Sequence, residues 1–248
     1  MQVVLFGTGR MGMEVADIAT ERGHTVVARV DSDPRSREEL QSMDPPAHGV
    51  AIDFSTADAV PSNARSAAEA GLDLVVGTTG WEAHRSEVEE VVRESGRGLL
   101  HAPNFSLGML LFLRIVEEAA RLADGLDEYD VHLWEAHHRH KKDHPGGTAR
   151  RLADLLVERI ARKNQWELSL PTHEAVDPGT LQVAVMRAGE IPGVHAVGLE
   201  GPDDRIELRH EARSRAGFAR GAVMAAEWLQ GRQGIFTLED LLADRVGS

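Results

Sequence analysis

A chain of 248 residues with 42% hydrophobic content, 24 Gly and 10 Pro can build one large domain or two modest ones, each with a buried core. Its formal charge of −13 disfavours polyanionic partners, nucleic acid and anionic membrane alike, and no apolar run approaches the roughly 20 residues of a membrane span. With no Cys, and with Met1 leading directly into an apolar strand, the expectation is a cytoplasmic protein without disulfides or thiol chemistry.

The first hundred residues alternate short apolar runs with helical stretches punctuated by glycine, the pattern of a parallel sheet covered by helices. Strands are expected at residues 3–6, 25–30, 50–54, 72–76 and 99–102, and helices at 11–21 and 57–70, each helix followed by a glycine (Gly23, Gly71) suited to a left-handed cap. After Pro103-Asn104 the style changes. Residues 107–123 carry Leu110, Leu111, Leu113, Ile115 and Val116, too dense an apolar set for a surface helix, so burial between domains or subunits is expected. A strand at 131–134, a polar loop and a helix at 148–161 follow. Alternation in 181–185 and 205–209 predicts strands exposed on one face, and 217–242 returns to helix. The fold class expected is α/β, a Rossmann-like doubly wound parallel sheet domain plus an α+β domain with an open mixed sheet.

Gly7-Thr8-Gly9-Arg10-Met11-Gly12 is a G-x-G-x-x-G set between the first strand and the first helix. The first glycine permits a tight turn, the second lets a pyrophosphate reach the backbone, and the third lets helix and strand pack closely. Asp31 closes the second strand, about 20 residues on, where an acid holds the ribose hydroxyls of a dinucleotide. Acid follows it in Ser32-Asp33-Pro34-Arg35, so NADH is the expected cofactor, while Arg10 and Arg35 leave NADPH open. Phe54, and Gly77-Thr78-Thr79-Gly80, stand at carboxyl ends of strands, where their backbones are expected to line the nicotinamide. Asn104 and Phe105 join the same rim.

Residues 137–144 hold four His, one Arg and two of the chain's three Lys, a cationic patch in an acidic protein. Such a patch suits a small dianionic substrate. Pro145-Gly146-Gly147-Thr148 then opens a helix, so the N–H groups of Gly147 and Thr148, with the Thr148 hydroxyl, could bind a carboxylate. A solvated charged loop is an equal reading on composition alone. A metal site is the weaker one, because Cys is absent, His137 and His138 point to opposite sides of an extended chain, and H-E-x-x-H spacing is missing.

Glu135-Ala136-His137-His138-Arg139-His140-Lys141, with Asp143, Pro145 and Gly147-Thr148-Ala149, resembles the signature of the dihydrodipicolinate reductase family. The resemblance extends to Asp53-Phe54, Gly77 to Gly80, Asn104 to Ser106, Arg187-Ala188-Gly189 and Ser214-Arg215. It implies that His137 sits at the reaction centre, His138 binds substrate, Lys141 donates the proton, and Gly147 and Thr148 take a carboxylate. Gly146 stands where the family pattern has Ser. The implied activity is NAD(P)H-dependent reduction of 4-hydroxy-tetrahydrodipicolinate on the diaminopimelate and lysine route. The implied organisation is a dinucleotide-binding domain at 1–104, a substrate-binding and oligomerisation domain at 105–214, a helical return at 215–248, and a homotetramer. A nucleotide sensor that lost catalysis, a metal-dependent hydrolase and a reductase of another small carboxylate are the alternatives.

Overall fold

The computed structural model describes residues 1–42, 49–168 and 173–246. The chain divides into two units, Met1–Leu107 with Arg215–Ser248, and Gly108–Ser214.

The first unit is built on β1 (Gln2–Phe6), β2 (Thr25–Val30), β3 (Gly49–Asp53), β4 (Asp73–Val76), β5 (Gly98–His101) and β11 (Gly234–Phe236). Their order across the sheet is β11-β5-β4-β3-β1-β2, and every pairing is parallel. β3 and β4 are buried along their whole length, which is why they read as unbroken apolar runs rather than as alternation. From β1 the chain builds outward to β2 on one side and to β3 on the other, so the switch point lies between β1 and β3. The carboxyl ends of strands at such a switch point are where open α/β sheets bind ligands.

The helices in this unit are α1 (Arg10–Glu21), α2 (Pro34–Ser42), α3 (Val60–Glu69), α4 (Arg85–Glu94), α7 (Ala216–Leu229) and α8 (Leu238–Val246). Gly23 and Gly71 take φ of +81° and +67° after α1 and α3, the left-handed caps expected at those positions. The expected helix over 57–70 begins as a 3-10 turn at Ala57–Ala59 before α3. The long final helix is divided. It stops at Leu229, and Gly231 and Gly234 at φ +76° and +127° turn the chain so that β11 can add to the edge of β5. α2 and α4 were not legible: α2 buries only Leu40, and α4 only Val88 and Val92, too few apolar positions to set a period.

The second unit holds α5 (Leu107–Asp124), β6 (Asp130–His137), α6 (Gly147–Arg159), β7 (Gln165–Glu167), β8 (Thr180–Arg187), β9 (Val194–Glu200) and β10 (Arg205–Glu211). The sheet order is β10-β9-β6-β8-β7, with β6, β7 and β8 parallel and β9 antiparallel to both its neighbours. Val131, Leu133, Leu181, Val183, Val197 and Leu199 pack on one face with residues of α5 and α6. The opposite face carries Trp134, with the Arg209 guanidinium 5.4 Å from its ring, and the exposed Ala184 and Met186.

One expectation changes here. The strand expected at 131–134 runs on to His137, because β6 is central and pairs with β8 and β9 as far as its end. A central strand takes its length from its neighbours, so the polar Glu135-Ala136-His137 is strand and not loop. In α5, Met109, Phe112, Leu113 and Val116 enter the core, but Leu111, Ile115 and Leu122 are 50%, 46% and 57% exposed.

Candidate active site

In the first unit the glycine turn joins β1 to α1. Gly7 has φ +91°, and a Cβ there would press on the Phe54 carbonyl of the neighbouring β3 turn, so close approach of the two turns requires glycine. A Cβ on Gly12 would overlap the Gly7 carbonyl oxygen. Gly9 is different: nothing lies within 4 Å of its Cβ position, and it caps α1 with no side-chain bond to the helix amides. No acidic residue stands in the first turn of α1. This open, uncapped helix start suits a pyrophosphate, so the residues present fit a dinucleotide. Arg10 is exposed beside it and Met11 is half-buried.

Asp53, fully buried, organises the neighbouring turns. Its carboxylate accepts from Ser55 N–H (2.8 Å), Ser55 Oγ (2.6 Å), Thr78 Oγ1 (2.9 Å) and Asn63 Nδ2 (2.9 Å), tying the β3 and β4 turns together. The Thr78 hydroxyl is therefore committed to Asp53. Gly77 has no room for a side chain because the Phe54 ring covers it, while Thr79 is exposed. Phe105 is 1% exposed and its ring meets Phe54 edge-on at 6.1 Å, so it belongs to the core, whereas Asn104 is half-buried. Asp31 is exposed at the end of β2 and accepts from Asp33 N–H at 2.8 Å. Arg35 is held by Asp33 through its Nε (3.1 Å) and Nη2 (2.7 Å), so its charge is already paired.

In the second unit, alternation along β6 puts Glu135 and His137 on one face. Across the sheet Glu135 is in register with His195 and His137 with Arg187. Glu135 is fully buried. Its Oε1 accepts from Arg187 Nη2 (2.7 Å) and from Gly146 N–H (2.9 Å), and its Oε2 faces His137 Nδ1 at 3.1 Å and His195 Nε2 at 3.6 Å. Burial alone would push this carboxyl up, but His137, Arg187 and the Gly146 amide together hold it at about 2. Arg187 also donates to the Asp143 carbonyl at 2.7 Å, so the loop after β6 is pinned at both Asp143 and Gly146.

Lys141 Nζ grips both oxygens of Asp143 (2.8 and 3.0 Å), which holds that carboxyl below its ordinary value. A Cβ on Gly146 would fall 2.9 Å from Lys141 Cε and 3.1 Å from Glu135 Oε2. Lys141 thus lies over the turn where the family pattern has Ser. α6 starts from this turn with Gly146 as its cap and without a side-chain bond to its first amides; Gly147 is open and Thr148 half-buried beside it. His138 packs against the His140 ring at 6.1 Å with its Nδ1 buried and unbonded. The structure therefore brings His137 and Lys141 to the turn that opens α6 at Gly147 and Thr148, while His138 packs on the His140 ring, and adds Glu135, Arg187 and His195, of which the first two had been read only as motif residues and the third not at all. The spacing Glu135-x-His137 on a strand was the available signal, obscured by reading the segment as loop.

Glu135, His137 and His195 also offer three atoms within 4.8 Å of one another, a separation a metal ion could bridge. A divalent cation there would share Glu135 with Arg187 and lie near Lys141, so the charges present oppose it. Burial, helped by the charge of His137, pulls His195 down to about 4. The unfolded chain takes up this proton near 6.5 and the native one only near 4, so the contribution of His195 to stability is complete above 6.5 and lost as pH falls toward 4. Unfolding in urea should show wild type about 1 kcal/mol less stable at pH 5.5 than at pH 7 through this residue, at ~1.4 kcal/mol per unit, and His195→Gln should remove that slope. An identical slope in the variant would assign the effect to other groups.

Two family models cover the chain: "Dihydrodipicolinate reductase, N-terminus" matches residues 1–105 and "Dihydrodipicolinate reductase, C-terminus" matches residues 108–242. A 4-hydroxy-tetrahydrodipicolinate reductase from Christiangramia forsetii is 35% identical over 244 residues, covering 98% of each chain. One from Archaeoglobus fulgidus is 36% identical over 265 residues, covering 98% of this chain and all of the relative. Among solved structures, the dipicolinate-bound dihydrodipicolinate reductase from Paenisporosarcina sp. TG-14 shares the fold, with a TM-score of 0.72 at 20% identity over 97% of this chain and 99% of that one.

Proposed function

The chain belongs to the dihydrodipicolinate reductase family, a family of NAD(P)H-dependent oxidoreductases, and we propose that it reduces 4-hydroxy-tetrahydrodipicolinate to tetrahydrodipicolinate with NADH as the preferred donor. The observation that carries this reading is the helix start in the second unit, where Lys141, the uncapped amides of α6 and the Glu135–His137 pair converge. A dicarboxylate needs cationic and N–H donors together, and this turn supplies both. Loss of the 4-hydroxyl together with a hydrogen from the adjacent ring carbon, as water, opens a ring C=C; bound NADH would supply a hydride to the carbon that carried the hydroxyl, and Lys141 delivers the proton to the neighbouring carbon of the enamine or anion that results, with His137 steering charge at the reaction centre. His138 orients the ring, and Gly147 and Thr148 hold a carboxylate. A homotetramer formed through the open face of the second sheet, which exposes Met186, completes the proposal.

The decisive assay is NADH oxidation with substrate generated in situ from pyruvate and aspartate semialdehyde by the preceding synthase; no oxidation with either cofactor would remove the assignment. The cofactor preference has its own test. Asp31 is exposed, with Oδ1 accepting from Asp33 N–H, and is the acid expected to take the ribose hydroxyls, whereas Arg35, one of the two arginines that leave NADPH open, is paired with Asp33. Asp31→Ala should raise the Michaelis constant for NADH roughly tenfold, the scale of a lost charged hydrogen bond, and that for NADPH far less. Equal effects on the two cofactors would take Asp31 out of the site.

A further inference from the structure

We propose that Glu135 is a positioning residue that acts through His137, fixing the imidazole with its Nδ1–H toward the buried carboxylate; this rests on the reductase reading above. A carboxylate with no exposed surface costs several kcal/mol to bury unless its oxygens are matched by donors. Oε1 is matched twice, by Arg187 Nη2 and the Gly146 amide. Oε2 is not: no well-aligned hydrogen bond reaches it among the described residues, and what faces it are His137 Nδ1 at 3.1 Å and His195 Nε2 at 3.6 Å. His195 is 5% exposed, and its burial keeps it neutral. Of the two rings, His137 is the nearer and half-buried, at the end of its strand where the loop of Lys141 begins.

Glu135 therefore does two things at once. Through Oε1 it closes the turn at Gly146, and together with Arg187, which also takes the Asp143 carbonyl, it shapes the loop between. Through Oε2 it dictates which nitrogen of His137 carries the proton, and leaves Nε2 as the other edge of the ring. Gly193 lies along that edge at φ +145°, and a Cβ there would come within 3.1 Å of Nε2. A side chain at that position would crowd the nitrogen that Glu135 leaves unprotonated in the neutral ring.

The tautomer is directly observable. In 15N-histidine-labelled wild type, the ring nitrogen shifts of the neutral His137 should report a protonated Nδ1 and a bare Nε2, and in Glu135→Gln the proton should move to Nε2. A protonated Nε2 in neutral wild-type His137 overturns the proposal without recourse to any variant, so it stays testable even if Glu135→Gln fails to fold. Kinetics give the second readout. Glu135→Gln should lower kcat at least tenfold with the Michaelis constant for NADH unchanged within twofold, and in a His137→Gln background the same change should cost little more, because its route of action is already gone. Losses that multiply in the double variant would make Glu135 a merely structural residue. A wild-type protein with the expected tautomer but no turnover of substrate would instead defeat the functional reading and leave this one standing.

Discussion

Gly12→Ala should abolish measurable dinucleotide binding and destabilise the free protein, whereas Gly9→Ala should abolish binding alone. The two glycines sit in one turn, but their surroundings differ. A Cβ on Gly12 would overlap the Gly7 carbonyl oxygen, a backbone atom that cannot swing aside, so α1 has to move off the β1 turn. Overpacking of this kind costs about 1–3 kcal/mol, and the displaced helix no longer aims its first amides at a pyrophosphate. At Gly9 the Cβ position is empty, with nothing within 4 Å, and φ is −70°, a value any residue adopts. The methyl group would intrude only on a bound phosphate. Urea unfolding separates stability from binding, and fluorescence titration with NADH reads the second; we expect at least a hundredfold weaker binding in both variants. If Gly9→Ala binds NADH normally, the pyrophosphate does not lie against this turn.

That contrast marks the boundary of what the chain discloses. The parallel sheet was legible because β3, β4 and β5 are buried nearly throughout and appear as bare apolar runs, and because glycines punctuate the helices between them. What escaped was set by partners distant in sequence. β11 has only three residues and exists because β5 offers it an edge; α2 holds a single buried leucine. Glu135 looks like a charge that ends a strand, and only registry with His195, with Arg187 reaching it from opposite His137, makes it the most deeply buried acid of the second unit's site. Thr78 reads from sequence as part of a candidate ligand-lining turn, but its hydroxyl is taken by Asp53, a bond 25 residues long that no local pattern announces. In the cationic loop, composition left a binding site and a solvated loop as equal readings, and the division of labour proposed inside it depends on which cations are already paired.

Lys141→Ala should lower the turnover number by roughly a hundredfold or more, the usual scale for losing a general acid, with a smaller effect on the Michaelis constant. Lys141 is half-buried over the Gly146 turn and held by both oxygens of Asp143, so its ammonium is positioned before substrate arrives. Negative charge grows on the substrate only as hydride arrives, and a cation that meets that charge stabilises the transition state more than the ground state. Thr148 meets a different demand. It lies in the first turn of α6, where a carboxylate present from the outset would bind, so Thr148→Val should mainly raise the Michaelis constant. Lys142 is the control: it is adjacent in sequence but exposed, and its side chain enters none of the contacts around Glu135. Lys142→Ala should therefore change turnover less than twofold. Steady-state kinetics of the three variants, each at saturating NADH, distinguish these roles, and greater damage from Lys142→Ala than from Lys141→Ala would require the proton donor to be reassigned.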